Sequence, residues 1–99
     1  MKFKIEKYFK ENIYDLMRKT GYYFQGKHNA DSALSFVRPS SGYPRFHIYL
    51  KEGPDFLIFN LHLDQKKPSY KGVKAHSGEY SGPVVEKEAE RIKDFLLKL

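Results

Sequence analysis

The chain has 99 residues, 40% hydrophobic and 30% charged, with a formal net charge of +6 and no cysteine. That length makes one domain spanning 1–99, and the composition excludes disorder as the default. The missing cysteines exclude disulfides and thiolate metal sites, and no run of about 18 apolar residues is present to span a membrane.

The basic balance favours polyanionic partners such as RNA, although charge also serves solubility alone. Aromatic residues make up 16%, all Phe and Tyr. Eight Phe can fill a small core, whereas eight Tyr are too many to hide. Met1-Lys2-Phe3-Lys4 lacks the apolar run of a signal peptide, which points to a cytoplasmic protein.

The first expected element is a helix from Lys4 to Lys19. Ile5, Tyr8, Phe9, Ile13, Leu16 and Met17 follow three-and-four spacing on one face. Residues 1–5 also alternate, so an extended start is a competing reading. Gly21 stands at a natural C-cap position, after Arg18 and Lys19. Residues 25–32, with Gly26, Asn29, Asp31 and Ser32, read as a loop. A short strand is expected over 33–38, ended by Pro39.

A second strand is expected over 45–51 and a third over 56–64, joined by the turn Glu52-Gly53-Pro54-Asp55. Phe46, Ile48 and Leu50 alternate with Arg45, His47, Tyr49 and Lys51. Pairing Lys51 with Phe56 sets Ile48 against Phe59 and makes the two apolar faces coincide. The opposite face then pairs His47 with Asn60 and Arg45 with His62, with Asp64 near Tyr43. Residues 65–82 form a long segment without regular structure, a length that is often functional. Gly82 caps a last helix, with Pro83 in its first turn and Val85, Ala89, Ile92, Leu96 and Leu99 as its buried stripe.

The expected fold is therefore α+β, ordered α-β-β-β-α, with a three-stranded antiparallel sheet and both helices packed on one face. That arrangement leaves the other sheet face bare. It would carry Arg45, His47, Tyr49, Asn60, His62 and Asp64, a set able to bind phosphate, stack a base or move a proton. The plainer account is an ordinary polar sheet surface.

Lys66, Lys67, Tyr70, Lys71, Lys74 and His76 in the long segment could add phosphate contacts, or simply solvate a loop. His47, His62 and Asp64 also form a possible metal ligand set, to which His76 could add a ligand. The expected register puts Arg45 beside His62, and no HExxH or HxH spacing is present. No metal or other cofactor is therefore expected.

Three stretches carry a family resemblance: Leu16-Met17-Arg18-Lys19-Thr20-Gly21-Tyr22, Phe46-His47-Ile48-Tyr49 and Asn60-Leu61-His62. Together they resemble the HicA-type mRNA interferase toxins, which have a double-stranded RNA-binding-domain-like fold. The chain departs from that pattern at Arg45-Phe46-His47, where the family has Gly-Ser-His, and at Asn60, where it has proline. The chain also resembles uncharacterised small bacterial proteins. The toxin resemblance implies RNA binding and metal-independent cleavage, with His47 or His62 as the acid–base group. The competing expectation is a non-catalytic module for an acidic protein partner. A small metal-dependent enzyme is a third.

Overall fold

The computed structural model describes residues 1–28, 30–66 and 78–99. Within them the chain forms β1 (Lys2–Ile5), α1 (Ile13–Lys19), β2 (Tyr23–Lys27), β3 (Leu34–Arg38), β4 (Arg45–Glu52), β5 (Leu57–Asp64), β6 (Gly78–Glu79) and α2 (Pro83–Leu97). The sheet runs β1-β5-β4-β3-β2, and every neighbouring pair is antiparallel. The two-residue β6 pairs with β5 beyond the end of β1, on the same edge. The expected three-stranded sheet and α-β-β-β-α order are thus corrected: five main strands are present, and the chain begins with one of them.

The first correction comes from alternation. Phe3 and Ile5 pair with Phe59 and Leu57, which drives both apolar side chains onto the covered face of the sheet. Phe3 stacks on Phe59 with ring centroids 4.8 Å apart. Lys2 and Lys4 then point to the other face. The helix starts only at Ile13, where the Asn12 side chain accepts the Asp15 backbone N–H at 2.9 Å. It ends as expected. The Gly21 N–H donates to the Arg18 carbonyl and the Tyr22 N–H to the Met17 carbonyl, with Gly21 at φ +96.

The second correction is β2 (Tyr23–Lys27), whose residues 25–27 fall within the loop expected over 25–32. It pairs with β3 through a bulge between Phe24 and Gly26. Tyr23, Phe24 and Gln25 are all exposed, so the strand shows no inside–outside alternation.

The third correction is register. Ile48 lies opposite Leu61 and Leu50 opposite Phe59, two residues from the expected pairing. The turn lies one residue later than expected: Glu52 pairs with Leu57, and the Gly53 N–H donates to the Phe56 carbonyl at 2.9 Å. The Phe56 ring lies across Gly53, where a Cβ would come within 2.3 Å of it. A slip of two keeps every side chain on its own face, so hydrophobic matching alone cannot detect it.

Both helices cover the same face of the sheet. Leu16 and Met17 of α1 and Val85, Ala89, Ile92 and Leu96 of α2 join Phe36, Ile48, Leu50, Phe59 and Leu61 in one buried cluster. Leu99 and Tyr8, expected in the helical stripes, are exposed, and Phe46 is only partly buried. Inside this layer sits a polar knot. The Glu88 carboxylate, 5% exposed, accepts from the Tyr22 hydroxyl at 2.6 Å, from Arg38 at 3.1 Å and from Arg91 at 2.8 and 3.0 Å. Arg91 also donates to the Thr20 carbonyl at 2.8 Å. The knot ties α2 to the end of α1 and to β3, and so fixes both helices over one face, with no described helix on the other.

Among the described residues no helix is long and apolar enough to cross a membrane.

Candidate functional site

The open face is built by strand parity. Arg45, His47, Tyr49 and Lys51 project from β4, and Asn60, His62 and Asp64 from β5. Ser35 comes from β3, and Lys2 and Lys4 from β1. The true register puts His47 directly opposite His62 and Arg45 opposite Asp64. The pairings of His47 with Asn60 and of Arg45 with His62, expected from sequence, do not form.

His47 and His62 are buried, at 8% and 7% exposed, although no described helix covers them. Neighbouring rings do so instead. Tyr49 lies 4.5 Å from His47 by ring centroid, and Tyr80, brought in just after β6, stacks on His62 at 5.0 Å. His28 meets Tyr49 at 5.3 Å, and His47 and His62 lie 4.8 Å apart. A continuous row of five rings therefore crosses the sheet in the order His28, Tyr49, His47, His62, Tyr80.

At its centre, Asp64 gathers three basic groups. His47 Nδ1 is 3.1 Å from Oδ2, and Arg45 Nε donates to the same oxygen at 3.3 Å. His62 Nε2 is 2.8 Å from Oδ1. The other nitrogen of His47, Nε2, lies 2.7 Å from the Ser35 hydroxyl. Burial, with the neighbouring His62, lowers the His47 pKa against the pull of Asp64. Burial also lowers that of His62, again against Asp64. Both imidazoles therefore favour the neutral form. Tyr49 is pushed up, first by burial and then by the Asp64 charge.

Ser35, His47 and Asp64 stand in the order nucleophile, base, orienting carboxylate. However, Ser35 lies inside β3 and is paired to Tyr49 on one side and Gly26 on the other. The backbone beside it is committed to the sheet ladder, which leaves no adjacent pair of N–H groups for an oxyanion. Both ring nitrogens of His47 are engaged by the protein, which leaves neither free to take a substrate proton.

Beside the row of rings lies a cleft of about 230 Å³, lined by Lys2, Lys51, Tyr49, Asn60, Asp31 and Ile58 among others. It is smaller than drug-sized pockets of about 300–1,000 Å³. Of the residues expected to bind nucleic acid, Arg45 and Tyr49 belong to this face, and Lys66 is exposed beyond the end of β5. Lys67, Tyr70, Lys71, Lys74 and His76 lie outside the described residues. Sequence reasoning passed over Ser35, Lys2, Lys4, His28 and Tyr80. Ser35 was legible in principle, because it alternates with the core-facing Phe36 and so falls on the polar face, where it lies opposite Tyr49. His28 and Tyr80 reach the site only through loops, and no local pattern marks them.

Comparison with known proteins finds no matching family model, no matching curated protein and no matching solved structure.

Proposed function

We propose that the protein binds single-stranded RNA across its open sheet face. One observation carries the reading: an aromatic row lies on the sheet face that no described helix covers, with His28, Tyr49 and Tyr80 reaching solvent and Lys2, Lys4, Lys51 and Arg45 beside it. Every base has a π-face, and stacking one on an aromatic side chain contributes about 1–3 kcal/mol without demanding a sequence. The cleft beside Tyr49 suits one flat base, with Asn60 able to hydrogen-bond its edge and Lys2 and Lys51 at hand for flanking phosphates. The net charge of +6 adds long-range attraction. The proposal is binding rather than cleavage, because His47 is held on both sides by Ser35 and Asp64.

A salt series tests it, with fluorescence anisotropy of a labelled single-stranded RNA as the readout and a DNA of the same sequence alongside. The logarithm of affinity should fall linearly with the logarithm of salt, with a slope of about −0.7 per phosphate contact. Changing Lys2 and Lys51 together to Ala should make that slope shallower by about 1.4, and Tyr49→Ala should weaken binding about fivefold or more at every salt. Absence of binding at low salt would defeat the reading and favour a module for an acidic protein partner.

A further inference from the structure

We propose that His47, His62 and Asp64 bind one divalent transition-metal ion, His47 through Nδ1, His62 through Nε2 and Asp64 through its carboxylate. The ligand atoms of the three residues all lie within 4.8 Å of one another. Two imidazoles and one carboxylate form a recognised donor set for zinc and for non-haem iron. Bonds of about 2.1 Å hold two ligand atoms on one ion no more than about 4.2 Å apart. The two contacts to Asp64, at 3.1 and 2.8 Å, already satisfy that limit. The widest separation must close by roughly half an ångström, which small side-chain rotations supply.

Two of the three contacts to Asp64 are long, while the third, from His62, is 2.8 Å. Charge-assisted N–H···O bonds run at about 2.7–2.9 Å. Here His47 and Arg45 share one carboxylate oxygen at 3.1 and 3.3 Å. An ion between the two nitrogens and the carboxylate would satisfy all three donors at once.

The surroundings are those of a supported metal site. A ligating histidine is normally oriented through its second nitrogen. For His47 the Ser35 hydroxyl does this at 2.7 Å, and by accepting a hydrogen bond from Nε2–H it would favour the tautomer with a bare lone pair on Nδ1. Tyr80 and Tyr49 pack against the two imidazole rings. All three ligands stand on directly paired strands, which hold geometry better than loops. Arg45 stands opposite Asp64 and donates to its Oδ2 at 3.3 Å, which orients the carboxylate, although its charge also bears on both histidines and an ion would have to outweigh it. The side chain of Asp64 is 22% exposed against 9–10% for the histidines, so the site opens to water on the carboxylate side. Three protein ligands and one open side are the pattern of a centre that keeps a water or takes a substrate.

The inference does not rest on RNA binding. Protein stripped with a chelator is dialysed against zinc and assayed by elemental mass spectrometry, and cobalt(II) uptake is followed by its ligand-field absorption. One zinc per chain is expected. His62→Ala and Asp64→Asn should lower affinity by about 100-fold or more, Ser35→Ala by about 10–100-fold, and Asp94→Asn, on the exposed side of α2, should leave it unchanged. Circular dichroism reports whether each variant folds, and should His62→Ala fail to fold, the near-isosteric Asp64→Asn carries the comparison. Wild-type protein that takes up no stoichiometric zinc or cobalt overturns the proposal. So does a folded His62→Ala or Asp64→Asn variant that binds as the wild type does.

Discussion

Replacing Glu88 with Gln tests the polar knot that holds both helices on one face. The carboxylate accepts from three side chains, two of them cationic, while itself only 5% exposed. Glutamine keeps the shape, removes the charge and turns an amide N–H₂ toward groups that are themselves donors. Removing one partner of a buried ion pair costs about 3–5 kcal/mol when the stranded charge stays dry. Here Arg38 and Arg91 reach water, with side chains 39% and 37% exposed, so both cations can rehydrate. The expected loss is therefore lower, about 2–3 kcal/mol.

The loss should also depend on pH. Burial acts to raise the Glu88 pKa, but the hydrogen bonds from Arg91 and Tyr22 and the charges of Arg91 and Arg38 outweigh it and hold it below the usual range. A carboxyl whose folded pKa is depressed stabilises fully above its unfolded pKa, about 4.3, and loses that contribution as pH falls through the folded value. Urea denaturation of wild type and Glu88→Gln should thus show the full gap at pH 7 and a shrinking gap below about pH 4. A gap under about 0.5 kcal/mol at pH 7, or one that stays constant into acid, would refute the account of the knot.

Two further perturbations address the fold. Phe59 is fully buried and stacked on Phe3, so Phe59→Ala should cost about 3–5 kcal/mol in the same assay, and a loss under about 1 kcal/mol would contradict the packing of β1 on β5. Gly21→Ala places a Cβ at φ +96 and within 3.2 Å of the Arg38 side chain, so about 1–2 kcal/mol should be lost, whereas an unchanged urea midpoint would contradict the helix-ending geometry.

Sequence pattern carried the second half of the fold well. The alternation in β4 and β5, the Gly82-Pro83 start of α2 and the Gly21 stop of α1 are local signals, and the local chain obeys them. It failed where a long-range partner decides. Ile5, Phe9 and Ile13 fit a helical face as well as Phe3 and Ile5 fit a strand, and only pairing with Phe59 and Leu57 resolves the conflict. Tyr23, Phe24 and Gln25 lie at a sheet edge with all three exposed, so burial leaves no imprint on that strand. The register error was blind to hydrophobic matching, yet it changed the chemistry. It made His47 and His62 diagonal instead of direct neighbours and set Arg45 against the wrong residue. The Glu88 knot unites residues 66 positions apart in Tyr22 and Glu88, which no local pattern reveals.

The central claim is that the open sheet face is the working surface. Titrating a short single-stranded RNA into isotopically labelled protein, and following each amide by NMR, tests it most directly. The claim predicts the largest shifts at Lys2, Arg45, Tyr49, Lys51, Asn60 and Tyr80, with the solvent faces of α1 and α2 unmoved. Shifts confined to α1 and α2, or no shifts at low salt, would contradict it.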